Sequence, residues 1–201
     1  VDYVDVFYSH RYDPDTPLEE TMQALVDIVR SGKALYAGIS NYPVEAAEYA
    51  YNYLRYHDTP CLLHQLKYSI LHRVPENEGL LQQAKEAGSG FIAFSPLAQG
   101  LLTDRYLGGI PEDSRAARDF TLKKSSITAE LVEKLKKLDE IASDRSQSLA
   151  QMALSWVLKD DLVTSVIVGA SSISQLDDNL QAVQNTDFCE EEIKIINDLT
   201  I

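Results

Sequence analysis

Five times along this chain, a short run rich in β-branched and aromatic residues gives way to a longer stretch of helical period, and few folds satisfy that order. The short runs are VDVFYSH (4–10), LYAGISN (35–41), LLHQLKYS (62–69), GFIAFSPL (90–97) and TSVIVGASS (164–172). After the first, Leu18, Met22, Leu25, Ile28 and Val29 recur at three- and four-residue spacing, which predicts a helix from Leu18 to Lys33. Pro17 suits its first turn and Gly32 its end. Further helices are predicted from near Pro43, from Glu78 to Ala87, from Thr128 to Arg145, from Ser148 through SLAQMALSWVLK, from Ile173 to Val183 and from Glu190 to Leu199. Alternating β and α at this spacing predicts an α/β fold with a parallel sheet. Near-continuous apolar runs such as FIAFS and SVIVGA fit strands covered on both faces. No repeat, linker or low-complexity segment divides the chain, so one domain over 1–201 is expected.

Two α/β architectures compete. A doubly wound sheet of five strands would be complete at 201 residues, whereas a (β/α)₈ barrel needs eight strands and roughly 250 residues. The polar residues decide between them. His10, then Ser40 and Asn41, then Gln65, then Ser95, then Gly169 with Ser171 mark the C-terminal ends of the five runs. A doubly wound sheet gathers its ligand at one switch point. Polar positions on every strand end are how a barrel builds its site, and no GxGxxG follows the first strand. The barrel is the expected fold.

Charge narrows the partners. A net charge of −13 argues against nucleic acid and against anionic membrane surfaces, and no apolar run approaches the ~18 residues of a membrane span. No secretory signal is visible. Cys61 and Cys189 are too few for a disulfide framework and read as reduced thiols, which with the missing signal predicts a cytoplasmic protein. Cys61 and His64 lie three apart on a strand and point to opposite faces, so no metal site is expected. One segment departs from the acidic balance. Between Ala98 and Ile127, Arg105, Arg115, Arg118, Lys123 and Lys124 stand against Asp104, Glu112, Asp113 and Asp119. A basic loop on an acidic body fits a small anion such as a nucleotide phosphate; a solvated loop of mixed charge is the alternative.

The segments FYSHRYD, SGKALYAGISNY, HQLKYSILHR, AFSPLAQGLLTDRYLGGIPEDSRA and SLAQMALSWVLKDDLVTSVIVGASSISQLDDNL resemble, in order, the later part of an aldo-keto reductase. The branch is similar to the L-glyceraldehyde-3-phosphate reductase type, which is related to potassium-channel β-subunits. The resemblance covers nearly the whole chain. It implies a (β/α)₈ barrel, here its last five βα units from the fourth strand to the helix after the eighth. It also implies NADP(H) as cofactor and reduction of aldehydes and ketones. VDVFYSH resembles the fourth strand, so three βα units have no counterpart here, nor do the family's catalytic aspartate, tyrosine and lysine. Tyr8, Tyr12, Tyr42 and Tyr68 lie in no stretch resembling the tyrosine motif. Two open sheet edges and an unclosed core are expected, and the 201 residues alone are expected to be inactive.

Through the same resemblance, His10 corresponds to the histidine that hydrogen-bonds and orients the carbonyl; on its own it would read as a satisfied core residue. Ser40, Asn41 and Gln65 correspond to the set that binds the nicotinamide carboxamide, whose donor and acceptor amides and hydroxyls can read. Alone, an Asn before Tyr-Pro would read as a turn residue. Phe94 corresponds to the aromatic stacked on the nicotinamide ring, with a core residue as the alternative. Ser95, Leu97, Gly100 and Leu101 correspond to the loop over the pyrophosphate, where Gly100 allows close backbone approach. Arg105 and Arg115 correspond to basic positions near the cofactor phosphates, Arg105 replacing the usual lysine. Gly169 and Ser171 lead into a helix N-terminus that favours an anion. Gln175, Asp178 and Asn179 correspond to residues around the adenosine. Relatives often carry an arginine at Ser172 or Gln175 for the 2′-phosphate; without it, NAD(H) stays open beside NADP(H).

The expected function is therefore NAD(P)H-dependent reduction of short-chain or small phosphorylated carbonyl compounds. A nucleotide-binding module of the channel β-subunit type is the second reading, against which His10 stands, because those proteins carry asparagine there. An inactive truncated remnant is the third. Ring-like assemblies occur in the branch, so a homo-oligomer stays open.

Overall fold

The computed structural model describes residues 1–112, 114–118 and 121–200. Asp113 and Asp119, counted above in the basic loop, lie outside the described residues.

The strands are β1 (Val4–Ser9), β2 (Ala34–Ser40), β3 (Cys61–Lys67), β4 (Gly90–Phe94) and β5 (Ser165–Ile167), arranged β1-β2-β3-β4-β5 in one sheet. The helices are α1 (Leu18–Arg30), α2 (Val44–Tyr56), α3 (Val74–Asn77), α4 (Leu80–Glu86), α5 (Ala129–Asp144), α6 (Leu149–Val157), α7 (Ile173–Leu180) and α8 (Glu190–Thr200). Successive strands pair in parallel in chain order, each returned by a helix. These are strand–helix units of a (β/α)₈ barrel, as the strand-end polar residues predict.

The chain divides into two compact units. The first holds residues 1–67, 73–94 and 161–165; the second holds 68–72, 95–160 and 166–200. In the first, Met22, Leu25 and Val26 of α1, the alanine face of α2 with Leu54, and Ala37, Ile39, Phe91 and Ala93 of the strands are buried. In the second, α5 contributes Leu135 and Leu138, and α6 contributes Met152, Ala153, Trp156 and Val157. A separate cluster there joins Leu101, Tyr106, Ala116 and Leu122.

The predicted helix ends run long for one recurring reason. α1 stops at Arg30 because Gly32 turns left-handed (φ 73°), so that Lys33 N–H donates to the Ile28 carbonyl and Gly32 N–H to Val29. Asp58 ends α2 the same way, Thr59 N–H reaching the Leu54 carbonyl at 2.9 Å. Gly88 after α4 and Ser146 after α5 repeat it. The predicted Glu78–Ala87 helix is broken at Gly79 (φ 77°), which divides α3 from α4. β5 is three residues, shorter than the nine-residue run TSVIVGASS, although β1 at the opposite end of the order has six. Coverage on both faces is not general either: β1 and β5 remain largely exposed, with Val4, Phe7 and Ile167 open to solvent.

Candidate cofactor site

In the first unit the polar residues stand at or near the ends of parallel strands: His10 and Asn41 follow β1 and β2, and Gln65, expected at a strand end, lies two residues before the end of β3 at Lys67. Ser40 closes β2 and is opposite Gln65 of β3 in register. Asn41 follows with φ 58°, a left-handed conformation that asparagine tolerates better than most residues, and this ends β2. Its backbone N–H donates to the Gln65 carbonyl at 3.2 Å. Its side-chain Nδ2 donates to Ser40 Oγ at 2.9 Å and to the His10 carbonyl at 3.0 Å. Ser40, Asn41, Gln65 and the His10 backbone are thus brought together. Ser40 is 2% exposed, while Asn41 and Gln65 are half-buried and His10 is exposed. The Asn41 Oδ1 and the Gln65 side-chain amide make no hydrogen bond among the described residues. These are the acceptor and the donor–acceptor pair that a carboxamide needs, so the residues fit that group. Phe94, half-buried, is the last residue of β4.

Beside this set, Ser9 Oγ and the Tyr42 hydroxyl lie 2.7 Å apart, a contact the sequence does not signal. Burial holds the phenols of both Tyr42 and Tyr8 above the usual tyrosine value, opposite to what a proton donor to a carbonyl requires. His64 is fully buried, its Nδ1 2.7 Å from the Tyr51 hydroxyl, and burial pushes its pKa down to about 4.

In the second unit, the loop after β4 is held in unusual backbone. Ser95 (φ 55°), Ala98 (φ 48°), Gln99 (φ 62°) and Gly100 (φ 95°) are all left-handed, at a cost of about 1–3 kcal/mol for each non-glycine. A Cβ on Gly100 would meet only ordinary contact with Tyr106, so its φ rather than space calls for glycine. Leu97 anchors the turn, its carbonyl accepting from Gly100 and Leu102. The Leu101 side chain is packed in the apolar cluster with Tyr106. Arg105 follows Thr103, whose Oγ1 accepts the Arg105 N–H. Ser95, Gln99, Arg115, Arg118 and Thr121 line one cavity of about 450 Å³. Arg118, Gln99 and Thr121 were not singled out in the sequence, although Arg118 belongs to its basic loop.

At the other end of this unit, Ser172 caps α7 by accepting the Gln175 N–H, and Gln175 Oε1 accepts from both the N–H and Oγ of Ser171 at 2.9 Å. Ser171 and Gln175 are therefore joined. The Asp178 carboxylate accepts from Gln151 Nε2 at 2.6 Å and from Ser148 Oγ at 3.0 Å, which ties α7 to the capping box of α6. Asn179 is half-buried beside it, and Gly169 is exposed with no neighbour within reach of a Cβ.

A family profile described as "Aldo/keto reductase family" matches residues 1–201. L-glyceraldehyde 3-phosphate reductase of Escherichia coli (strain K12) is 49% identical over 201 residues, covering 98% of this chain and 58% of the relative. A putative voltage-gated potassium channel subunit beta of Schizosaccharomyces pombe is 33% identical, covering 95% of this chain and 57% of the relative. The chain thus spans less than two thirds of the curated relatives it matches. Among solved structures, a thermostable aldo-keto reductase in complex with the inhibitor epalrestat has a TM-score of 0.73 at 29% identity, covering 98% of this chain and 60% of that one. With strand ends, loop and helix cap placed as described, the chain belongs to the aldo/keto reductase family.

Proposed function

We propose that this chain carries the cofactor-binding and carbonyl-orienting residues of a cytoplasmic NADP(H)-dependent reductase of aldehydes and ketones. The observation that supports it most is the amide set near the ends of β2 and β3, where Asn41 Oδ1 and the Gln65 amide have no partner among the described residues while Ser40 and Asn41 Nδ2 are fixed. Bound there, a reduced nicotinamide supplies the hydride. Asn41, Gln65 and Ser40 read its carboxamide and so fix which face the ring presents. Phe94 offers a flat apolar surface to the ring. His10 donates to the carbonyl oxygen of the substrate and orients it. Ser95, Leu97, Gly100 and Leu101 act through backbone and hydroxyl groups near the pyrophosphate, with Arg105 and Arg115 supplying positive charge. Gly169, Ser171, Gln175, Asp178 and Asn179 serve the adenosine end. The name of the Escherichia coli relative favours a small phosphorylated aldehyde as substrate.

Burial pushes the Tyr8 and Tyr42 phenols away from proton donation, and the 201-residue chain is expected to bind NADPH without oxidising it. Titration of reduced nicotinamide fluorescence tests the reading. Binding should be saturable, and Asn41→Leu or Gln65→Leu should each weaken it by roughly tenfold, the worth of one or two hydrogen bonds. Unaltered affinity in both variants would refute the assignment.

A further inference from the structure

The outer face of α2 carries aromatic rings where a helix over a sheet ordinarily carries charged and polar groups. Tyr49, Tyr53 and His57 follow one another at four-residue spacing, so they rise along one side of the helix. The rings stack. Tyr49 and Tyr53 have centroids 5.9 Å apart at 23°, and Tyr53 and His57 have centroids 4.5 Å apart at 30°. Tyr56 meets His57 edge-on at 5.2 Å. The stack is at the surface: Tyr56 is 84% exposed and Tyr49 41%, while the opposite face of α2 buries Ala46, Ala47, Ala50 and Leu54. It does not border an open sheet edge, because α2 joins β2 to β3 inside the strand order.

The central ring is held from α1. The Tyr53 hydroxyl donates to Gln23 Oε1 at 2.8 Å, and Gln23 Nε2 donates to Asp27 Oδ1 at 2.8 Å. The surroundings are acidic. α1 and α2 carry Glu19, Glu20, Asp27, Glu45 and Glu48 against Arg30 and Arg55. Both arginines are engaged, Arg30 Nη2 donating to the His57 carbonyl at 3.1 Å and Arg55 Nη2 to the Ala87 carbonyl. Burial, Glu19, Tyr49 and Asp27 hold the Tyr53 phenol above the usual tyrosine value, with Arg30 acting the other way. Glu19 and Asp27 are therefore within electrostatic reach of the stack. Ring faces beside carboxylates are what a planar cation needs: a π-surface to lie on and oxygens for its N–H groups. A guanidinium satisfies both, whereas an ammonium is a compact, strongly hydrated charge that does not stack. An anionic partner would be repelled by the same carboxylates.

We propose that the stack of Tyr49, Tyr53 and His57, with Glu19 and Asp27 beside it, docks an arginine-bearing segment of a partner protein. The surface uses none of the residues assigned to the cofactor, so this inference is independent of the reductase reading.

The probe is a capped tri-arginine peptide, with capped tri-lysine for comparison, and affinities are read by calorimetry at ~0.15 M salt, where distant charges are screened. The 201-residue chain is compared with Tyr49→Leu, with Glu19→Gln and with Glu130→Gln, which removes an exposed charge from α5. Wild type should bind tri-arginine more tightly than tri-lysine. Tyr49→Leu should weaken tri-arginine binding by about three- to tenfold, the worth of one cation–π contact, and leave tri-lysine binding unchanged. Glu19→Gln should weaken both peptides by about two- to fivefold, and Glu130→Gln neither. Tyr49 and Glu19 are both exposed, so neither substitution removes a buried group. Tri-arginine affinity unchanged in Tyr49→Leu, or lowered as much by Glu130→Gln as by Glu19→Gln, would overturn the inference and leave only general attraction to an acidic chain. A wild-type dimer in sedimentation that Tyr49→Leu dissociates, with tri-arginine bound no tighter than tri-lysine, would give the surface to a second copy and overturn it as well.

Discussion

The two units give their candidate site residues different surroundings. In the first, candidate site residues belong to strand ends whose neighbours are packed: Ser40 is nearly inaccessible, Ser9 and Tyr42 are bonded to each other, and His64 is sealed against Tyr51 and Phe91. In the second, they ride on loops and a helix cap, with exposed arginines and a run of left-handed residues. A neutral carboxamide can be told from its mirror orientation only by donors and acceptors that do not move, so rigidity serves the first. A phosphate is drawn by charge from any direction, so the second can place its groups at the surface and fix them from below.

If that contrast is right, the first unit should be the acid-sensitive one. His64 titrates near 6.5 when unfolded and about 4 when folded, so the unfolded chain takes up the proton first. The stability this burial contributes is complete above pH 6.5 and is lost as pH falls toward 4, a span of roughly 3 kcal/mol. Denaturant titrations across that window should show the loss in wild type and a correspondingly shallower loss in His64→Leu. Identical pH dependence would break the comparison. A smaller effect is expected at Gly38, where an added Cβ would lie 2.6 Å from Tyr8 Cε1 in the neighbouring strand. Gly38→Ala should cost about 1–3 kcal/mol by overpacking. A neutral substitution in the same denaturation assay would mean the strand ends are looser than described. The second unit should be more forgiving. Ser148→Ala removes both the capping box of α6 and a bond to Asp178, and should cost about 1 kcal/mol. A loss of several kcal/mol would show that its surface hydrogen bonds matter as much as the first unit's core.

The part of this architecture that repeats locally was readable in the sequence. Leu18, Met22 and Leu25 announce a helix because their spacing is the helix period, and Ser148 with Gln151 announces its start because both partners of the capping box lie within one turn. His10 and Asn41 could be placed just past strand ends because apolar runs stop there, whereas Gln65 lies inside β3, two residues short of its end at Lys67. What escaped depends on backbone sign or on contacts between distant residues. Asp58 and Ser146 end helices in left-handed conformations that either residue can also avoid, and Gly79 divides a helix that composition alone would continue. The Ser9–Tyr42 contact joins residues 33 apart. Arg118 was one charge among nine in a loop until the fold brought it to the cavity that Arg115 also lines. The Leu101 side chain packs in the apolar cluster with Tyr106, Ala116 and Leu122, a grouping that spans more than twenty residues of loop.

The central claim is that the ends of β2 and β3 receive the nicotinamide amide. Hydrogen exchange of the chain with and without saturating NADPH tests it most directly. The account predicts slower exchange over residues 38–42 and 63–67, with residues 190–200 unaffected. Unchanged exchange at both strand ends, while NADPH is bound, would contradict it.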